Sequence, residues 1–246
     1  MSSLSEHPAI VLVRTQEEGN IGSTARAMAN MGLDELVLVE PRSPPQRVAR
    51  AFAVGAREIL DRARIVTSLE EALAPYSRII GTTSARARDR HIPLIEAREL
   101  AAVLGREPEN TRAAIVFGPE ASGLTKEELC RCSYWVRIHC APRQPTLNLA
   151  QAVLIVAYEL FLHREGTEPQ RDERPIPATA DEIEGLFSQL VPLLGDIGYA
   201  RDDTFASVLR ELRRLAARAG PSSREVTLLR GICRRAQNTF DHTGES

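Results

Sequence analysis

Residues 9–40 read AIVLVRTQEEGNIGSTARAMANMGLDELVLVE. The stretch opens and closes on short apolar runs, AIVLV (9–13) and ELVLVE (35–40). These runs are nearly continuous and do not alternate, as expected of strands covered on both faces. Between them a Gly-Asn-Ile-Gly turn leads into a helical pattern near 20–31, and Gly32 offers a left-handed stop. Strand, helix and strand in that order form the unit of a parallel sheet.

The alternation continues along the chain. RIVTS (64–68), RIIGTT (78–83), AAIVF (113–117) and YWVRIH (134–139) read as further strands. Helical patterns lie between them, near 46–60, 69–75, 96–104 and 125–131. Beyond Asn148 apolar residues recur at three- and four-residue spacing as far as Leu162. The first 165 residues therefore read as an α/β domain with a largely parallel sheet. Residues 166–180 are charged and proline-containing and read as a linker. Three amphipathic segments follow, near 181–194, 202–219 and 222–239, making a small all-helical extension over 181–241.

Composition narrows the class of partner. The chain has 246 residues, 43% of them hydrophobic, enough for a real core. No run of eighteen apolar residues is present, so no membrane partner is expected. The N-terminal segment lacks a basic start and a cleavable apolar core, which points to the cytoplasm. A formal charge of −2 gives no global nucleic-acid signature. Lys126 is the only lysine, however, and the other basic residues are arginines, a weak sign of phosphate recognition. Between 201 and 235 nine arginines face four acids. A solvated helical face and a phosphate-binding appendage both account for that excess. Cysteines at 130, 132, 140 and 233 fit no common zinc framework, so no metal is expected.

Four loops at strand ends collect small polar residues: GNIG (19–22), GTTSARARDR (81–90), GPEASGL (118–124) and PTLNLAQAV (145–153). Thr125 followed by Glu128 forms a capping-box pattern after the third. In the fourth, Thr146 and Asn148 stand at a helix entry, where backbone N–H groups need acceptors. Capping alone explains that stretch. Four such loops together point to a ligand site at one edge of the sheet.

GNIGSTARAMANMG, IVFGPEASGL and PTLNLAQAV resemble, in order and spacing, the three motifs of the SPOUT-class RNA 2′-O-methyltransferases, most closely the TrmJ type acting on cytidine or uridine 32 of tRNA. LRELRRLAARAGPSSREVTLLRGI resembles the helical extension of that type more weakly. The resemblance implies an α/β knot fold, with a C-terminal trefoil knot in the sheet domain. It implies S-adenosylmethionine as methyl donor without a metal, tRNA as partner, and a homodimer through the knot-region helix. Its cofactor loops fall on Thr83, Ser84, Ala85, Gly118, Glu120, Ile138, Thr146 and Leu147. Its catalytic arginine falls on Arg26, acting as base or as phosphate and alkoxide clamp, with Asn20 and Asn148 holding Arg26 and the ribose. RNA contacts are expected at Arg86, Arg88, Arg210, Arg213, Arg214 and Arg218. Related sequences acting on ribosomal RNA, and a non-catalytic RNA-binding relative, are the alternatives. Thr146 stands where many relatives carry serine; the hydroxyl is kept and its χ1 is stiffer.

Overall fold

The computed structural model describes residues 7–83, 92–108, 110–166, 175–199 and 202–243. Seven strands, β1 (Ala9–Val13), β2 (Leu36–Val39), β3 (Arg64–Val66), β4 (Arg78–Thr83), β5 (Leu94–Glu96), β6 (Ala113–Phe117) and β7 (Tyr134–Arg137), form one sheet. Their order is β3-β2-β1-β6-β4-β7-β5, and every neighbouring pair is parallel. Six strands fall where the apolar runs place them. The seventh, β5, was not legible: only three residues long, it lies at the sheet edge beside β7.

Alternate residues of β1 feed two cores, as the two-residue strand period requires. Ile10 and Leu12 join the core beneath helices α1 (Glu18–Asn30), α2 (Arg47–Phe52), α3 (Arg57–Arg62), α5 (Ala97–Leu104) and α7 (Leu149–Gly166). Ala9, Val11 and Val13 join the opposite core, with α4 (Leu69–Leu73), α6 (Lys126–Leu129), Tyr76 and Trp135. Both faces of the sheet are thus covered, which explains the continuous apolar runs.

Two helices differ from the sequence expectation. The pattern near 46–60 divides into α2 and α3, with Gly55 at φ 75° between them. The Gly-Asn-Ile-Gly stretch is no turn, because α1 already starts at Glu18. Gly22 serves packing instead. A Cβ there would stand 2.1 Å from the Ala49 carbonyl oxygen, so its absence lets α2 cross directly over α1. Gly32 does end the helix, at φ 68°, with the Leu33 N–H donating to Met28 O and the Gly32 N–H to Ala29 O.

Of the C-terminal helices α8 (Ala180–Asp196), α9 (Asp202–Ala219) and α10 (Ser223–Thr243), α8 and α10 enclose a small core of their own around Leu186, Leu193, Val226 and Cys233. They dock on the α4 side of the sheet. The Ala180 N–H donates to Tyr76 O, and Arg131 bridges Glu70 of α4 and Glu184 of α8 at 2.7 and 2.8 Å. Arg78 and Glu107 form an almost fully buried ion pair at 2.7 Å, and the Arg78 guanidinium lies against Gly220. The later part of the expected linker is engaged too: Pro177 bridges Ser222, and the Ala178 N–H donates to Pro221 O.

Candidate active site

In a parallel sheet all carboxyl ends share one edge, so the loops after β1, β6 and β7 and the end of β4 at Thr83 converge there. The order turns back between β1 and its later neighbours, the position at which open α/β sheets bind ligands. A cleft opens at this edge. It encloses about 1320 Å³, solvent at its mouth included, and is lined by Thr82, Thr83, Gly118–Leu124, Ile138, Cys140 and Pro145–Leu147, with Leu129, Val136 and Leu149 behind. Hydroxyls and loop backbone stand at the rim and aliphatic side chains at the back, the pattern of a small-molecule pocket. The space is ample for a nucleoside-sized ligand.

Of the expected cofactor residues, Thr83, Gly118, Glu120, Ile138, Thr146 and Leu147 line this one cleft. Ser84, Ala85, Arg86 and Arg88 lie outside the described residues. Gly118 is required by the loop's own closure: a Cβ there would stand 2.3 Å from the Gly123–Leu124 peptide.

A directed chain of hydrogen bonds crosses the cleft's edge. Glu120 accepts from Asn20 Nδ2 at 2.7 Å and from the Gln16 N–H at 3.1 Å. Asn20 Oδ1 accepts from Asn148 Nδ2 at 2.8 Å. Asn148 Oδ1 accepts from the Ala150 N–H at 2.9 Å and caps α7. An ionised carboxylate accepts only, so Glu120 fixes the amide orientation of Asn20, and Asn20 fixes that of Asn148. Burial pushes the Glu120 carboxyl up. The Asn20 amide and the backbone N–H groups of Glu120, Gln16 and Glu17 outweigh it, leaving the group below its ordinary value.

The loop after β6 is tied down a second time. Thr125 and Glu128 form the expected capping box of α6, and Glu128 also pairs with Arg14 at 2.7 Å. Arg14 holds a left-handed backbone, φ 48°, directly after β1. Burial raises the Glu128 carboxyl, and Arg14 together with the Thr125 N–H lowers it by more. Arg14 and Gln16 were missed at the sequence level. Their only signal is their position beyond the first strand.

Arg26 is exposed, four residues beyond Gly22 on α1 and so one turn past the crossing with α2. Arg210 and Arg218 are exposed on α9. Arg213 and Arg214, expected to meet RNA, are half-buried and make contacts within the protein. Arg213 donates to Glu184 Oε2 at 2.9 Å and stacks over Phe187, and Arg214 donates to Cys130 Sγ at 3.2 Å. Among the described residues no group of three or more His, Cys, Asp or Glu could hold a metal ion, and no helix is long and apolar enough to cross a membrane.

Comparison with known proteins agrees with this geometry. The model of the SpoU rRNA methylase family matches residues 7–158, and that of the C-terminal domain of the tRNA methyltransferase TrmJ matches residues 181–245. The tRNA (cytidine/uridine-2′-O-)-methyltransferase TrmJ of Pectobacterium atrosepticum is 40% identical over 236 residues, covering 94% of this chain and 97% of that protein. The same enzyme of Escherichia coli K12 is 42% identical over 228 residues, covering 91% and 92%. The crystal structure of TrmJ from Z. mobilis ZM4 superposes with a TM-score of 0.83 at 34% identity, covering 94% of this chain and 99% of that one.

Proposed function

The chain belongs to the SpoU methylase family, in the branch that carries the TrmJ C-terminal domain, and we propose that it methylates a ribose 2′-oxygen of tRNA, at nucleotide 32 of the anticodon loop, in the cytoplasm. The observation that carries this reading is the Glu120–Asn20–Asn148 chain, which locks three loops of the sheet edge around one cleft beside the helix bearing Arg26. The cleft suits S-adenosylmethionine: Ile138, Leu147 and Leu149 offer an apolar back and Thr83, Thr146 and the 118–124 backbone a polar rim. When bound, that molecule supplies a methyl group already activated on a sulfonium.

The protein's share is orientation and charge. A guanidinium offers five N–H donors and no acceptor, which suits Arg26 to binding negative charge more than to taking up a proton. Its role is to clamp a substrate phosphate and to stabilise the negative charge that develops on the ribose oxygen. The hydroxyl proton then leaves to phosphate or water. Asn20 and Asn148 hold the first turn of α1 against the cleft, and would thereby position Arg26 relative to a bound methyl donor. No residue in this account needs a metal.

Exposed Arg210 and Arg218, together with Arg86 and Arg88, are assigned to tRNA phosphates. The knot implied by the resemblance belongs to the same reading, supported by the loops after β6 and β7 meeting in front of α7. Leu154, Tyr158 and Leu162 form an exposed apolar stripe on α7, with i, i+4 spacing. A helix apolar on both faces needs cover, and a second copy on this stripe supplies it. The test is labelled methyl transfer from S-adenosylmethionine to tRNA, with ribosomal RNA in parallel. Ribose label in tRNA alone is expected. Label in ribosomal RNA alone overturns the target, and binding of both ligands without transfer overturns the activity.

A further inference from the structure

The segment over the catalytic helix carries a second basic surface that the site described above does not use. Between 42 and 64 the chain holds six arginines, at 42, 47, 50, 57, 62 and 64, against Glu58 and Asp61. The fold does not spread these charges evenly. Arg47 and Arg50 of α2 and Arg57 of α3 surround one open depression on the surface. Arg50 pairs with Asp61, and Arg62 with Glu58. Arg47 and Arg57 are exposed and have no ion-pair partner among the described residues. Gathering guanidinium groups of one sign around a concavity gives up stability through mutual repulsion, and that favours an anion as the missing neighbour.

An aromatic ring completes the surface. Phe52, at the end of α2, is 53% exposed although it is among the largest apolar side chains of the sheet domain. Its ring lies 3.7–3.8 Å from where a Cβ on Gly19 would be, over the first turn of the helix that carries Asn20 and Arg26. Arg47 and Arg50 flank Ala49, whose backbone crosses α1 at Gly22, and Arg26 lies one turn beyond that crossing. The arginines around the depression and the ring of Phe52 thus sit on the helix pair α2–α3 that crosses α1, the helix of Arg26, at Gly22. Planar forks for phosphate beside an open π-face for a base make the pairing that single-stranded RNA requires.

We propose that Arg47, Arg57 and Phe52 form a second RNA-contact surface, the arginines gripping phosphates of the tRNA strand next to the target ribose and Phe52 stacking on an unpaired base. The proposal rests on the tRNA reading above. It adds that substrate is held by the sheet domain itself as well as by the C-terminal helices.

The test compares the full-length protein with the double variant Arg47→Ala/Arg57→Ala and with Phe52→Leu. The readouts are tRNA Kd across a salt series, tRNA KM and kcat, S-adenosylmethionine Kd, melting temperature and oligomeric state. For the double variant we expect tRNA Kd about tenfold higher at moderate salt and a salt slope smaller by about 1.4–1.8, the release expected for two phosphate contacts. Cofactor Kd, melting and oligomeric state stay as in the parent. Phe52→Leu weakens tRNA binding by about fivefold or more. An unchanged Kd and slope in a folded double variant overturn the proposal. A change of oligomeric state in either variant also overturns it and gives the surface to a second copy. Failure of the parent reading looks different: the unaltered protein then transfers no methyl to tRNA, whatever the arginine variants do to binding.

Discussion

Asn148 Nδ2 donates to Asn20 Oδ1 at 2.8 Å, joining the entry of α7 to the first turn of α1 across 128 residues of chain. The same Asn148 caps α7 through its oxygen. Its two amide atoms thus do two separable jobs. Asn148→Asp keeps the capping oxygen and loses the donor, so melting should stay within about 0.5 kcal/mol while turnover falls about tenfold or more. Asn148→Ala should lose the cap as well, about 1 kcal/mol, with a similar loss of turnover. Melting curves beside single-turnover rates separate the two effects, and full turnover by the aspartate variant would show the link to be idle.

Gly22 and Gly231 both sit in helices, and the expected effects of adding a methyl have opposite signs. At Gly22 the methyl would meet the Ala49 carbonyl at 2.1 Å, so α2 must move, at a cost of about 1–3 kcal/mol. At Gly231 in α10 nothing lies within 4 Å, and Gly231→Ala should gain roughly 0.5–1 kcal/mol. Chemical denaturation of both variants checks the pair. Equal effects would mean that α1 and α2 are not in the close contact described.

Acid should loosen the docking of the C-terminal helices. Burial raises the Glu184 carboxyl, and the Arg213 and Arg131 guanidinium groups lower it by more, leaving it below the ordinary carboxylate value. A carboxyl depressed in the folded state stabilises fully above the unfolded value, and that stability is lost as pH falls through the folded one. Glu96, Glu120 and Glu128 are depressed as well, so they act in the same direction. Thermal stability should be flat near neutrality and fall below about pH 4.5. Glu184→Gln should lower it at pH 7 and flatten its acid dependence. An unchanged pH profile in that variant would remove the Arg131–Glu184–Arg213 cluster from the account.

How far the sequence could be read follows from what each element needs. Strands β1, β2, β6 and β7 announce themselves because burial on both faces demands continuous apolar runs. β5 does not, because a three-residue edge strand, LIE, is held by the register of β7 more than by its own composition. The capping box at Thr125–Glu128 was legible because both partners are three residues apart. The link between Glu120 and Asn20 spans 100 residues, and no local pattern encodes it. Arg213 and Arg218 look alike in sequence. Only the docking of α9 decides that the first meets Glu184 and Phe187 and is half-buried while the second is exposed.

The most direct measurement is to map ribose methylation on an unmodified tRNA transcript after reaction with the unaltered protein and with Arg26→Ala, with S-adenosylmethionine affinity measured for both. A 2′-O-methyl group at nucleotide 32 is expected with the unaltered protein. In the variant, cofactor affinity should be unchanged and the rate lower by roughly 10²–10³-fold. Near-normal methylation by Arg26→Ala, or a methyl group placed elsewhere than on a tRNA ribose, would contradict the proposed function.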